Sequence, residues 1–143
     1  MTTRRTAQRG AALVEFALIS SLLFLLLFGI IEVGLLLGDQ AQVGAAAREA
    51  ARSASVGSTI EDAEKNGVSA GTGLHLTPAN VTLEKSLDNG TNWVPLGDIG
   101  STNDAIAPNL IRATVTYSHP LVTTYIFSGS TKLLTARLVM QRE

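Results

Sequence analysis

The chain has no cysteine, which excludes a disulfide framework and any thiolate chemistry while leaving the compartment open. It has two histidines, His75 and His119, and neither stands in a serine–acid arrangement; Ser118-His119-Pro120 reads as the end of a strand. Gly129-Ser130-Thr131-Lys132 lacks the leading glycine and the Gly-Lys order of a phosphate loop and reads as a hairpin turn. Glu61, Asp62 and Glu64 lack the spacing of an oxygen-ligand cation loop and fit the solvated first turn of a short helix, where the helix dipole favours acids. No catalytic, cofactor-binding or metal-ligating set can be named, so an enzyme is not expected. A basic stripe is missing too. Three of the eleven basic residues, Arg4, Arg5 and Arg9, precede Gly10, leaving eight bases against twelve acids in the remainder. Such a balance argues against nucleic acid as a partner. There is no internal repeat and no low-complexity tract.

One long apolar run stands against these absences. Residues 16–31 carry no charge, and Ser20 and Ser21 are their only polar side chains. Allowing Glu32 within it, the run 16–38 is about 35 Å long as a helix at about 1.5 Å per residue, enough to cross a hydrocarbon core of about 30 Å. It is too long for the apolar region of a secretory signal, and Leu35-Leu36-Leu37-Gly38-Asp39 offers no small-residue cleavage site. Arginines precede the run, whereas Glu32 and Asp39 are the first charges at its far end. The positive-inside rule therefore places the N-terminus in the cytoplasm and everything after residue 38 outside. Gly34 and Gly38 have a small-xxx-small spacing that would let two helices approach closely, although two ordinary membrane-helix glycines account for it as well.

Glu15 is unexpected at the mouth of such a segment, because a carboxylate entering hydrocarbon needs a partner. Its alternative is solvation at the headgroup level. Gly10, four apolar residues, Glu15, the aromatic Phe16 and then an unbroken apolar helix resemble the processing site of type IV prepilins. The stretch Arg9-Gly10-Ala11-Ala12-Leu13-Val14-Glu15-Phe16-Ala17-Leu18 resembles the TadE-like minor pilins (pseudopilins) of tight-adherence pili. So do Ala45-Ala46-Ala47-Arg48-Glu49-Ala50-Ala51-Arg52 and the ending Thr135-Ala136-Arg137-Leu138-Val139-Met140-Gln141-Arg142-Glu143. The similarity is dense over residues 9–56, returns at 131–143 and is thin between. Phe16 stands where the major pilin of this branch has Tyr, and a full domain follows where the major pilin is little more than the helix.

The resemblance implies cleavage between Gly10 and Ala11 by a membrane-embedded prepilin peptidase. The freed amine of Ala11 then lies one helical turn from Glu15 and supplies its counter-charge, within one chain or between neighbouring subunits; before cleavage Arg9 could serve. Glu15 and Phe16 would be recognition and assembly residues. Implied partners are the peptidase, other pilin subunits, the inner-membrane pilus assembly platform and membrane lipid. The implied location is the bacterial inner membrane, single-pass, with possible incorporation in a surface pilus. No cofactor is implied. The competing expectation is a permanently anchored single-pass protein whose external domain binds a ligand or partner, with Gly10 incidental.

Beyond the membrane the helix is expected to continue from Asp39 to about Ser55. Val43, Ala46, Ala47, Ala50, Ala51 and Ala54 recur at three and four along one small-residue face, and Gly57 is the stop. Ser58-Thr59-Ile60-Glu61 has capping-box spacing and predicts a short helix to about Asn66, ending at Gly67. From Asn80 the period becomes two: Val81, Leu83 and Leu87 alternate with Thr82, Glu84 and Ser86, and Lys85 breaks the inner row. Asp88-Asn89-Gly90 is a hairpin signal, with residues 91–96 returning and 97–107 as loop. Residues 110–118 form the clearest strand, Ile111, Ala113, Val115 and Tyr117 on one face, ended by His119-Pro120. Residues 121–127 are strand or loop, and 132–141 close the sheet with Leu134, Ala136, Leu138 and Met140 inward. Trp93 packs or caps the domain, a ligand-binding role being the alternative. The expected architecture is α+β, a long N-terminal helix, half in the membrane and half outside, packed on an antiparallel sheet of three to four strands. Its expected division is a cleavable leader (1–10), a transmembrane helix (11–38) and an extracytoplasmic pilin-like domain (39–143).

Overall fold

The computed structural model describes residues 3–122 and 131–143, with side chains from Gly10 onward. Helix α1, Thr3–Ser55, is unbroken over 53 residues, about 80 Å at about 1.5 Å per residue. No proline interrupts it, and its character changes along its length. The residues from Leu13 to Leu27 stand in the open, whereas Val43, Ala46, Ala47, Ala50, Ala51 and Ala54 are at most 1% exposed. The small side chains let the sheet approach the helix backbone, and they are the face that the three-and-four spacing predicts.

Helix α1 ends in a Schellman motif. Gly57 takes φ of +99°, its N–H donates to Ala54 O at 3.1 Å, and the Ser58 N–H donates to Ser53 O at 3.2 Å. A left-handed residue after the last turn is what glycine supplies at least cost. The remaining carbonyls are met from far along the chain. Arg142 Nη1 donates to Ser55 O at 2.7 Å, the Glu143 N–H donates to the same oxygen at 3.1 Å, and Thr102 Oγ1 donates to Gly57 O at 2.6 Å.

Helix α2, Ile60–Ala70, is longer than the spacing predicts. Its N-cap is Thr59, whose Oγ1 accepts from the Asp62 N–H at 3.2 Å, while Asp98 Oδ1 accepts from the Ile60 N–H at 2.9 Å. The expected Ser58–Glu61 box is therefore displaced by one residue. Nor does Gly67 end the helix. It is buried where α2 crosses α1, and a Cβ there would lie 2.8 Å from Ala50 Cβ and 3.2 Å from Ala46 O. Glycine serves this position as a point of close contact, and the helix ends at Gly71 instead.

The main sheet is antiparallel in the order β2-β1-β5-β6, comprising β1 (Val81–Ser86), β2 (Val94–Pro95), β5 (Leu110–Pro120) and β6 (Thr131–Gln141). Together with α1 this is the expected α+β arrangement. Strand β5 is central, pairing Val81↔Val115 with β1 and Leu110↔Gln141 through Pro120↔Thr131 with β6. Ile111, Ala113 and Val115 are fully buried against α1, and Leu134, Ala136, Leu138 and Met140 join that core as expected.

Three details differ from expectation. Ser86 is 1% exposed and Leu87 70% exposed, the reverse of the expected row. The Ser86 hydroxyl organises the turn, accepting from the Gly90 N–H at 2.8 Å and donating to Asp88 Oδ1 at 2.8 Å. The return strand is two residues rather than six, because Thr91 and Asn92 curl back on Asp88. The Asn92 N–H and side chain donate to its two oxygens; these bonds, the Asn92 N–H first, and Ser86 hold the Asp88 carboxyl down to about 2. Within residues 97–107 a small ladder forms, β3 (Asp98–Ile99) with β4 (Thr102–Asn103). It also explains Lys85, whose ammonium lies 2.5 Å from Asp104 Oδ2. Burial alone would raise the Asp104 carboxyl, but Lys85 and the Gly97 N–H outweigh it and hold it below the ordinary value. The expected hairpin turn at 129–132 and the segment 121–127 fall largely outside the described residues.

Candidate functional site

Gly10, Ala11, Glu15 and Phe16 lie inside α1, seven to thirteen residues after its first residue, Thr3. All four are exposed, Phe16 at 70%, and no atom lies within 4 Å of a Cβ built on Gly10. Ala11 and Glu15 are four residues apart and therefore one above the other on the helix surface. The basic leader is continuous with the helix that follows, a feature the sequence reading leaves unspecified.

Beyond this point, among the described residues, the helix stays uncovered through its most apolar stretch. Its most apolar 18-residue window has a mean hydropathy of 2.5 and is 0% buried, unlike the core helix of a soluble protein. Within it Ser20 Oγ donates to Ala17 O at 3.1 Å and Ser21 Oγ to Leu18 O at 2.8 Å, so both hydroxyls are satisfied without water. By length and composition α1 is a single-pass membrane anchor. Gly34 and Gly38 are exposed, with no atom within 4 Å of an added Cβ. Among the described residues neither packs on the domain, and that side of the helix is open.

The helix exit holds a cluster that the sequence reading did not assemble. Glu32 and Asp39 are seven residues, two turns, apart and share the face of α1 that meets the sheet. Between them lies His119, whose side chain is 5% exposed. Its Nδ1 is 2.7 Å from Asp39 Oδ2, and its buried Nε2 faces Glu32 Oε1 at 3.5 Å. Glu32 Oε1 also accepts from the Val122 N–H at 3.2 Å. Strand β5 does not end at His119; it runs to Pro120, and His119 sits on the same inner face as Ile111, Ala113 and Val115. Strand parity was the available signal, since an odd-numbered residue of β5 must face the helix.

The other sequence candidates have structural duties. Glu61 pairs with Lys65 at 2.6 Å, Asp62 caps α2, and the Glu64 carboxyl is raised first by burial and then by Asp98 and Glu61. Trp93 is half-buried, donates from Nε1 to Gly90 O at 3.1 Å, and carries the Arg112 guanidinium 4.2 Å from its ring centre. That stacking, with Arg112 also paired to Glu84 at 2.6 Å, makes Trp93 part of the sheet's outer face. A cavity of about 390 Å³ lies at the far end of the domain between Ile99, Ile106 and Arg142.

Residues 10–52 match the family model described as TadE-like protein. The matched stretch begins at Gly10, takes in the whole apolar run and ends at Arg52, within the buried alanine face. No curated protein and no solved structure matches the chain.

Proposed function

We propose that this TadE-like protein, and hence relative of the tight-adherence pilus components, is a minor pilin. It is inserted in the bacterial inner membrane with residues 1–10 in the cytoplasm, cut between Gly10 and Ala11 by a prepilin peptidase, and passed to the pilus assembly platform. Its activity is structural: the helix enters a bundle with other pilin subunits, and the domain from about residue 39 stands outside the membrane. One observation carries this: Gly10, Glu15 and an unbroken, uncovered apolar helix occur together at the start of the matched residues.

The geometry supports each step. The scissile bond lies within α1, so the peptidase must unwind the helix locally before cutting. Glycine eases this, being about 1 kcal/mol poorer than alanine in a helix interior. Cleavage leaves an α-amine on Ala11, a cation one turn from Glu15, and so reduces the cost of holding a carboxylate at the hydrocarbon edge. The exposed glycines at 34 and 38 leave one side of the helix open to a neighbouring helix.

Replacing either Gly10 or Glu15 with valine tests the proposal in cells that depend on this protein for pili. Both variants should insert and fold normally yet give no assembled pilus, Gly10→Val because the leader stays on and Glu15→Val because subunit pairing is lost. Normal pili from both variants would favour a permanently anchored binding protein instead.

A further inference from the structure

We propose that the exit of β5, at Pro120 to Val122, is immersed in the outer edge of the bilayer, and that the Glu32–His119–Asp39 cluster is the clamp that holds it there. The proposal rests on α1 spanning the membrane. Length sets the depth. A hydrocarbon core of about 30 Å takes about twenty helical residues, and counted from Glu15 it ends near Leu35. That level falls between Glu32 and Asp39. Glu32 therefore lies on the hydrocarbon side of the edge, and whatever part of the domain touches Glu32 lies there too. The Val122 N–H does so at 3.2 Å.

The surface at this level suits lipid. Val122 is 50% exposed, and Val33, Leu35 and Leu37 on the adjoining helix are 57%, 46% and 61% exposed. They continue the uncovered apolar surface of α1, so the covering that the span requires extends onto them. Lys132, which pairs across the ladder with His119, is exposed and brings a cation to this end of the sheet.

The clamp makes this depth tolerable for Glu32. Its side chain is 12% exposed, and among the described residues it meets the Val122 N–H by a hydrogen bond and the His119 imidazole as an ion-pair contact at 3.5 Å. Asp39 holds the other ring nitrogen at 2.7 Å and thereby fixes which edge of the ring faces Glu32. The same contacts tie the exit of α1 to the end of β5, so anchor and domain are held at one height and angle. Among the described residues, Tyr117 on the same strand face and Lys132 on β6 are the other titratable groups toward this end.

Because the chain has no cysteine, single spin labels can be placed at Val122→Cys, Leu27→Cys and Leu87→Cys in the full chain, reconstituted in phosphatidylcholine–phosphatidylglycerol nanodiscs. Collision with oxygen, which partitions into lipid, is compared with collision with a water-soluble nickel chelate. The label at 122 should favour oxygen, as that at 27 does, and the label at 87 should favour nickel. If 122 behaves as 87 does while 27 remains in lipid, the immersion is wrong and the spanning helix stands. If 27 is also aqueous, the spanning helix itself fails. For the clamp, adding His119→Gln should raise nickel access at 122 several-fold and leave 27 unchanged, and adding Glu32→Gln as well should return 122 to lipid, because no charge then needs a partner. No change in the first variant, or no return in the second, overturns the clamp.

Discussion

Asn103 is 3% exposed and uses its whole amide. Its Nδ2 donates to Ala54 O and Ser58 O at 2.8 Å each, and its Oδ1 accepts from the Ala105 N–H at 3.1 Å. One side chain thus joins the end of α1, the start of α2 and the loop that precedes β5. A buried polar group left without its partner costs about 1–3 kcal/mol. Asn103→Ala takes this partner from Ser58 O and the Ala105 N–H, whereas Ala54 O keeps the Gly57 N–H, so a loss of about that size is expected in a thermal or denaturant melt of the full chain in detergent. A change within the error of the melt would mean that water replaces the amide. The same economy is seen at Ser86, a buried hydroxyl that both donates and accepts within its turn.

At the scale of elements, the alanine face of α1 fixes how closely everything else packs. Gly67 brings α2 to within 3.2 Å of the Ala46 carbonyl, measured to an added Cβ. That neighbour is backbone and cannot move aside, so Gly67→Ala forces the two helices apart. The expected cost is about 1–3 kcal/mol, as for other overpacked core sites, despite alanine being the better helix former. Stability at or above that of the parent chain would show that the crossing adjusts freely. These elements also show what the sequence makes legible. The periods of α1 and β5 carry their buried faces openly, because one row of side chains meets one continuous core. Ser86 and Gly67 misled for a shared reason. A polar residue inside and a glycine within a helix both depend on a partner that only the folded chain supplies. The helix exit is further still from view, since His119 lies 80 residues from Asp39 in the chain and no local pattern links them. Of the proposed processing segment the opposite holds: Gly10, Ala11, Glu15 and Phe16 form one short local string that is visible in the sequence without the fold, and the helix adds only their spacing.

For the molecule as a whole, one helix does two jobs in series. Its most apolar window is 0% buried among the described residues and its second half is the spine of the domain, with Arg142 and Glu143 pinned to its end. Force or displacement applied to the apolar half is therefore carried into the sheet without a hinge, as the proposed passage of the subunit from membrane to filament would require. The first charged group past the leader is Glu15, and its pairing turns on whether the chain begins at Met1 or at Ala11. N-terminal sequencing of the membrane-bound protein, produced with and without its prepilin peptidase, decides this directly. The expected result is Ala11 as the first residue when the peptidase is present and the intact leader when it is absent. Met1 or Thr2 at the start of both preparations would contradict it.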